Sequence, residues 1–287
     1  MKIAISAEST IDMPKSMLEE YDIHTLPFGI VMGDEMVLDG EVDAKDLFKF
    51  ADETKKLPKT SAVNQFQFEE HFNKLKSMGY DAIIHFSLSS KISSACQNAK
   101  AVSEKFENVH VIDTLSLSTG IALQAIYASK LVKAGFSFDE IISKCEERIP
   151  FCQASFSLES VNYLYMGGRC SMLSMLGANV LHLKPAILVE NGSMRAGRKY
   201  RGNMMKAVLG YVNDILEEFH DPDPEEVFIT YSSAPDDVVE AVRKILVEKG
   251  FRNIHTTHAG GTISCHCGPN CLGVLYFNDK EHIIESK

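Results

Sequence analysis

The chain lacks any run approaching the roughly 20 apolar residues of a membrane span, so no integral membrane segment is expected. It lacks a basic surplus as well: 29 Lys and Arg against 39 Asp and Glu leave a formal charge of −10. Phosphate-backbone binding needs a concentrated basic surface, so nucleic acid is not an expected partner. Neither a Gly-x-x-x-x-Gly-Lys-Ser/Thr loop nor a Gly-x-Gly-x-x-Gly turn occurs, which removes the common nucleotide signatures. A Gly-x-Ser-x-Gly nucleophile elbow is missing too. The apolar start, Met1 to Ser6, is too short for a signal peptide, and Glu8 and Asp12 follow it at once. A cytoplasmic location is the resulting expectation.

What is present is an ordinary globular composition: 287 residues, 45% hydrophobic and 24% charged. That length fits one large or two medium domains. Seven cysteines without an export signal argue against a disulfide scaffold. Cys96, Cys145, Cys152 and Cys170 stand singly among apolar or small neighbours, as reduced buried thiols do.

The first half alternates short apolar runs with amphipathic stretches. Strands are predicted at 2–6, 81–88 and 109–113, with an extended run over 23–32 that turns back at Gly33. Helices are predicted at 15–21, at 44–54 with Asp43 as N-cap, and at 66–78, 94–105, 120–134 and 138–148. Strands separated by helices point to a mostly parallel sheet. Near Pro150 the pattern changes. Residues 153–158 alternate like a half-exposed strand, and 161–166 resemble a short helix. Asn191-Gly192 between 183–189 and 193–200 signals a type I′ hairpin. Helices at 202–219 and 235–249 and strands at 227–231, 254–258 and 273–277 complete the chain. The expectation is an α/β protein with an N-terminal α/β domain over 1–150 and a C-terminal α/β domain with a mixed sheet over 151–287. A ligand would sit where the two meet.

The most informative local feature is Ser89-Ser90-Lys91-Ile92-Ser93-Ser94-Ala95-Cys96-Gln97, between a buried strand and a helix start. Ligands of open α/β sheets sit at such carboxyl ends of strands, and helix starts favour carboxylates or phosphates. The bland alternative is a capping box of Ser94 with Gln97. Pro58-Lys59-Thr60-Ser61 offers a second hydroxyl-bearing turn, for which capping is again the simpler reading. Cys265-His266-Cys267-Gly268-Pro269-Asn270-Cys271 carries zinc-type ligands, but with the wrong spacing and no second Cys-x-x-Cys, so no metal is expected. His266 acting alone as donor to, or ion partner of, an anion is the alternative.

These segments together resemble the DegV family, almost end to end. The resemblance is carried by Ser9-Thr10-Ile11-Asp12-Met13-Pro14, Leu38-Asp39-Gly40, Pro58-Lys59-Thr60-Ser61 and Ser89-Ser90-Lys91-Ile92-Ser93. It continues in Val111-Ile112-Asp113-Thr114, Gly167-Gly168-Arg169, Leu183-Lys184-Pro185, Lys199-Tyr200-Arg201-Gly202 and His266-Cys267-Gly268-Pro269. The resemblance implies two α/β domains enclosing a long-chain fatty acid as ligand, with no cofactor. It implies a carboxylate held by Thr60 and Ser93, with Ser61 and Ser94 beside them and His266 reaching in from the second domain. It also implies a non-catalytic subunit whose partner, the catalytic subunit of a fatty acid kinase, makes an acyl phosphate for phospholipid synthesis. Transient contact with a membrane surface belongs to the same expectation. The sequence departs from the family pattern at Ser94-Ala95-Cys96, where Gly-Thr-Tyr is common, and at Asn270, where glycine is usual.

A sixteen- to eighteen-carbon tail contributes on the order of 12 kcal/mol gross on burial. A membrane offers nearly as much, so head-group capture must supply the advantage. Basic residues Lys184, Arg195, Arg198, Lys199, Arg201 and Lys206, opposed nearby only by Glu190, form either a solvated face or a docking surface. Arg169, Arg198 and Arg201 are the candidates for partner docking or phosphate handling. The competing functions are an acyl hydrolase or transferase using Ser93 or Cys265 with His266, and a zinc-stabilised regulatory protein.

Overall fold

In the computed structural model, residues 1–169 and 183–284 are described. Cys170, read above as a buried thiol, lies outside them. The chain runs β1 (Ile3–Glu8), α1 (Lys15–Tyr21), β2 (Ile23–Leu26), β3 (Gly29–Met32), β4 (Glu35–Leu38), α2 (Ala44–Thr54), β5 (Lys59–Ser61), α3 (Gln65–Ser77), β6 (Ala82–Ser87), α4 (Ala95–Ser103), β7 (Val109–Asp113), α5 (Thr119–Lys133) and α6 (Phe138–Arg148). It continues with β8 (Cys152–Ser157), α7 (Asn162–Met166), β9 (Lys184–Glu190), β10 (Ser193–Tyr200), α8 (Met204–Glu218), β11 (Glu226–Tyr231), α9 (Asp236–Glu248), β12 (Asn253–His258), α10 (Gly261–Cys267) and β13 (Leu272–Phe277).

The first unit holds a parallel sheet in the order β2-β1-β6-β7. Its central strands, IAISAE and AIIHFS, are buried at every position, as parallel strands covered on both faces must be. The second unit holds a mixed sheet, β10-β9-β8-β13-β11-β12, antiparallel except for β11 with β12. The architecture is therefore the α/β arrangement expected from the sequence, a parallel sheet followed by a mixed one.

Three details differ from the expectation. The extended run over 23–32 is two strands in different sheets. β2 ends before Pro27, which has no N–H to continue a ladder, and β3 joins a small antiparallel sheet, β4-β3-β5. The 153–158 strand is buried rather than half exposed, because β8 lies inside the six-stranded sheet with α5 on one face and α8 on the other. Asp43 occupies the N-cap position of α2, but its side chain makes no capping bond. The hairpin is as expected, with φ 49° at Asn191 and 80° at Gly192, the two left-handed residues of a type I′ turn.

Helix α5 joins the two units. Twelve of its fifteen residues are buried. A helix apolar all round needs cover all round, and α5 finds it in β1 and β6 on one side and β8, β11 and β13 on the other. The main hydrophobic core accordingly runs from Ile5 and Ile84 through Ile126 to Phe156 and Leu275 without a break. A second core packs α8 and α9 on the far face of the mixed sheet. At the end of α6, the buried Arg148 binds Asp223 at 2.6 Å and Asp279 at 2.7 and 2.9 Å. Its guanidinium lies 3.9 Å from the Phe277 ring centroid and 4.6 Å from that of Tyr127.

Candidate functional site

A cavity with about 780 Å³ of empty space, counted out to its open mouth, lies where the two main sheets and α10 converge. Most of its wall is apolar, with Phe28, Leu88, Ile92, Phe156, Met194 and Leu275 among the lining residues. Thr60, Ser93, Arg169 and His266 also line it, and each is placed by a different element.

Thr60 lies on β5, a short strand where the sequence suggested only a turn. Its pairing with Ile30 sets the alternation that turns Thr60 inward and leaves Lys59 and Ser61 exposed. Ser61 does not line the cavity. His266 comes from α10, a helix that sequence reasoning missed, and its Nε2 is hydrogen-bonded to Thr60 Oγ1 at 2.9 Å. The other ring nitrogen, Nδ1, is buried and has no hydrogen-bond partner among the described residues. Burial first, and the nearby Arg169 charge second, push the imidazole down to about 4. It is thus neutral near pH 7, a donor but not the ion partner that the sequence also allowed.

Gly167-Gly168-Arg169 acquires a physical reason at this point. A Cβ on Gly167 would lie 2.5 Å from His266 Nδ1, so only glycine lets α7 close against the imidazole. Gly168, at φ 73°, turns the chain out of the helix. Arg169 folds back to donate to the Gly167 carbonyl at 2.8 Å. It is half-buried, and no carboxylate partner is found for it among the described residues. The sequence grouped Arg169 with Arg198 and Arg201; the structure separates them. Arg198 is exposed and paired with Asp214 at 2.8 Å, and Arg201 is exposed outside the cavity. The basic hairpin is also less lopsided than its sequence suggests. Arg195 meets Glu190 and Glu218, and Lys184 meets Glu159.

Ser93 lines the cavity and caps as well, because its Oγ accepts from the Ala95 amide at 3.2 Å. Ser94 stands at the N-cap position without a capping bond, exposed and away from the cavity. Gln97, its supposed partner in a capping box, instead donates to the Ser90 carbonyl. The hydroxyl-rich turn is also pinned to the second unit, since Ser89 Oγ donates to the Gly192 carbonyl at the hairpin tip at 2.7 Å.

Two functional carboxylates were missed in the sequence, although their motifs were noted. Asp12 Oδ1 accepts from Gly260 N at 2.9 Å, and Asp39 Oδ1 accepts from Gly261 N at 2.8 Å. Together they satisfy the first amides of α10 and so fix the helix that carries His266. Gly260 and Gly261 permit this approach. A Cβ on Gly260 would lie 2.8 Å from Asp12 Oδ1, and one on Gly261 would lie 2.5 Å from Ile30 Cδ1. Asp12 also accepts from Ser118 at 2.5 Å. Burial, and less strongly the neighbouring Asp39, push it well above the usual carboxylate range. Ser118 lines the cavity at φ 51°, a left-handed value that Asp12 helps to hold.

The cysteines around His266 point to different places. Cys265 packs with Ile30 and Leu47, and burial pushes its thiol up to about 12. Cys267 and Cys271 line the cavity. Among the described residues no group of three or more His, Cys, Asp or Glu side chains is placed to hold a metal ion. The turn keeps its shape with asparagine in the last place, Gly268 at φ 73° and Asn270 at φ 54°. Among the described residues, no helix is long and apolar enough to cross a membrane.

Comparison with known proteins agrees with this architecture. A DegV domain-containing protein of Clostridium acetobutylicum is 30% identical over 278 residues, covering 96% of this chain and 98% of the relative. A protein of Thermotoga maritima named fatty acid-binding protein is 28% identical, with 95% and 96% covered. The crystal structure of a DegV lipid binding protein from Thermotoga maritima superposes with a TM-score of 0.86 at 27% identity, over the whole of both chains. The family model described as "Uncharacterised protein, DegV family" matches residues 2–279, and the chain belongs to the DegV family.

Proposed function

We propose that this protein encloses a long-chain fatty acid and presents its carboxylate to a separate kinase, without performing chemistry itself. One observation carries the reading. A largely apolar cavity contains a neutral histidine paired with a threonine, a serine hydroxyl and a guanidinium without a carboxylate partner among the described residues. A carboxylate supplies the missing charge to Arg169 and accepts from Ser93 and from Thr60, whose hydroxyl is free to donate when His266 Nε2–H donates to it. The apolar wall takes the tail, at about 0.8 kcal/mol per methylene. The relatives whose names record fatty-acid or lipid binding support the same ligand.

The hydrolase reading loses on geometry. His266 is bonded to Thr60 rather than to Ser93, and among the described residues its Nδ1 has no carboxylate to orient it. Cys265 faces away into Ile30 and Leu47, with a thiol held protonated. In our reading the protein works in the cytoplasm, touches the membrane surface transiently to exchange its ligand, and feeds acyl phosphate towards phospholipid synthesis. The exposed Arg201 serves kinase docking, and Ser61 and Ser94 play no part in holding the head group.

Native mass spectrometry of the purified protein tests the carrier. A co-purifying fatty acid is expected, with reduced retention in Thr60→Val, Ser93→Ala and His266→Ala. Full retention in all three would misplace the head group, and turnover of acyl esters by the protein alone would restore the enzyme. Arg201→Glu should slow acyl-phosphate formation by the kinase with lipid retention unchanged.

A further inference from the structure

Beyond the head-group seat, the cavity floor is a cross-strand row on the mixed sheet: Phe156 of β8, Gly273 of β13 and Thr230 of β11, in register. Gly273 leaves the middle of the row bare. A Cβ there would lie 2.8 Å from the Ser155 carbonyl oxygen and 3.2 Å from Phe156 Cβ. The cavity therefore reaches down to the sheet next to the Thr230 hydroxyl.

Thr230 Oγ1 is hydrogen-bonded to Thr119 Oγ1 at 2.7 Å and to Thr257 Oγ1 at 3.0 Å. Three hydroxyls carry three protons, and two bonds use two of them. If Thr230 donates to either neighbour, the spare proton falls on Thr119 or Thr257. Both are buried, neither lines the cavity, and no other acceptor is found for either among the described residues. If both neighbours donate to Thr230, its own O–H is left to point at the cavity, and no proton is stranded once a ligand accepts it.

A second hydroxyl lies close by along the chain, since Thr257 leads through Gly260 and Gly261 into α10. Thr262 lines the cavity, is 3% exposed, and its Oγ1 has no hydrogen-bond partner among the described residues. It stands four residues before His266, on the same helix face, about 6 Å along the axis. The Gly260 and Gly261 amides play no part, because Asp12 and Asp39 already occupy them.

We propose that Thr230 and Thr262 form a second polar subsite in the cavity, and that the ligand is a long-chain acid bearing a hydroxyl along its chain. That hydroxyl accepts from Thr230 and donates to Thr262 Oγ1, while Gly273 gives it room. The inference rests on the carboxylate seat proposed above and names the class of acid that the seat receives.

Competition on delipidated protein, read by native mass spectrometry, tests it with stearate against hydroxystearates substituted at successive chain positions. One positional isomer is expected to bind about tenfold more tightly than stearate, the net gain that the two hydrogen bonds leave after the hydroxyl gives up its water partners. Thr230→Val and Thr262→Val should bring that ratio towards one while stearate is still retained, and Thr230→Ser should keep the preference. Stearate binding as well as every isomer would overturn the subsite, as would a preference that survives in both valine variants. Failure of the wild-type protein to bind any of these acids would strike the carboxylate seat itself.

Discussion

Two arginines in this molecule, one buried and one half-buried, have opposite surroundings. Arg148 is held by two carboxylates and lies against two aromatic rings, at the junction of α6 with the mixed sheet. Arg169 lines a cavity and, among the described residues, bonds to one backbone carbonyl. Taking a guanidinium out of water is costly unless its charge is matched and its donors are used. At Arg148 the protein supplies the match, and the residue is structural. At Arg169, in the function proposed above, the match is left to an anion that enters the cavity.

The comparison predicts a double dissociation. Arg148→Met leaves Asp223 and Asp279 buried without a counter-ion. It should destabilise the protein by about 3–5 kcal/mol in urea unfolding, with lipid retention per folded molecule intact. Arg169→Met should do the reverse. Lipid retention should fall by roughly ten- to a hundredfold, the worth of a charge-assisted hydrogen bond, with little change in the urea midpoint of the delipidated protein. Equal loss of stability in both variants would end the distinction.

A smaller effect concerns the histidines. Burial pushes His266 down to about 4 and His71 to about 3, below the unfolded value near 6.5. Between those values the unfolded chain binds more protons than the native one, so stability is whole above about pH 6.5 and drains as the pH falls. His266→Asn should flatten that decline between about pH 6.5 and 4 in delipidated protein. An unchanged slope in urea titrations across that window would show that the imidazole is not held neutral by its surroundings.

Elements with strong periodicity were legible in the sequence. The boundaries of α2, α6 and β7 follow from apolar spacing and turn residues alone, and Asn191-Gly192 specified its turn. What escaped lacked local signals. α10 is preceded by Gly260, begins at Gly261 and continues through Thr262, Ser264 and Cys265, a weak helix former by composition. It exists because Asp12 and Asp39, more than two hundred residues away, satisfy its amides. β5 is three residues long and depends on β3 for its existence. The pairing of Thr60 with His266 spans 206 positions, and no periodicity could reveal it. Family resemblance brought these two residues together, while the local argument about helix starts pointed to the capping of Ser94. The clearest missed signal was Gly260-Gly261, two adjacent glycines that mark a close approach by another part of the chain.

Helix α5 has a consequence for how occupancy is felt. Each sheet uses a face of that one helix to complete its packing, so neither half has a finished interior by itself. Melting should then be one event for both, and a guest in the cavity acts on that single equilibrium. Its free energy of binding, RT ln(1 + [L]/Kd), is added to the whole molecule rather than to the walls it touches. Loaded and empty protein would thus differ in lifetime throughout the chain, from the first strand to the last.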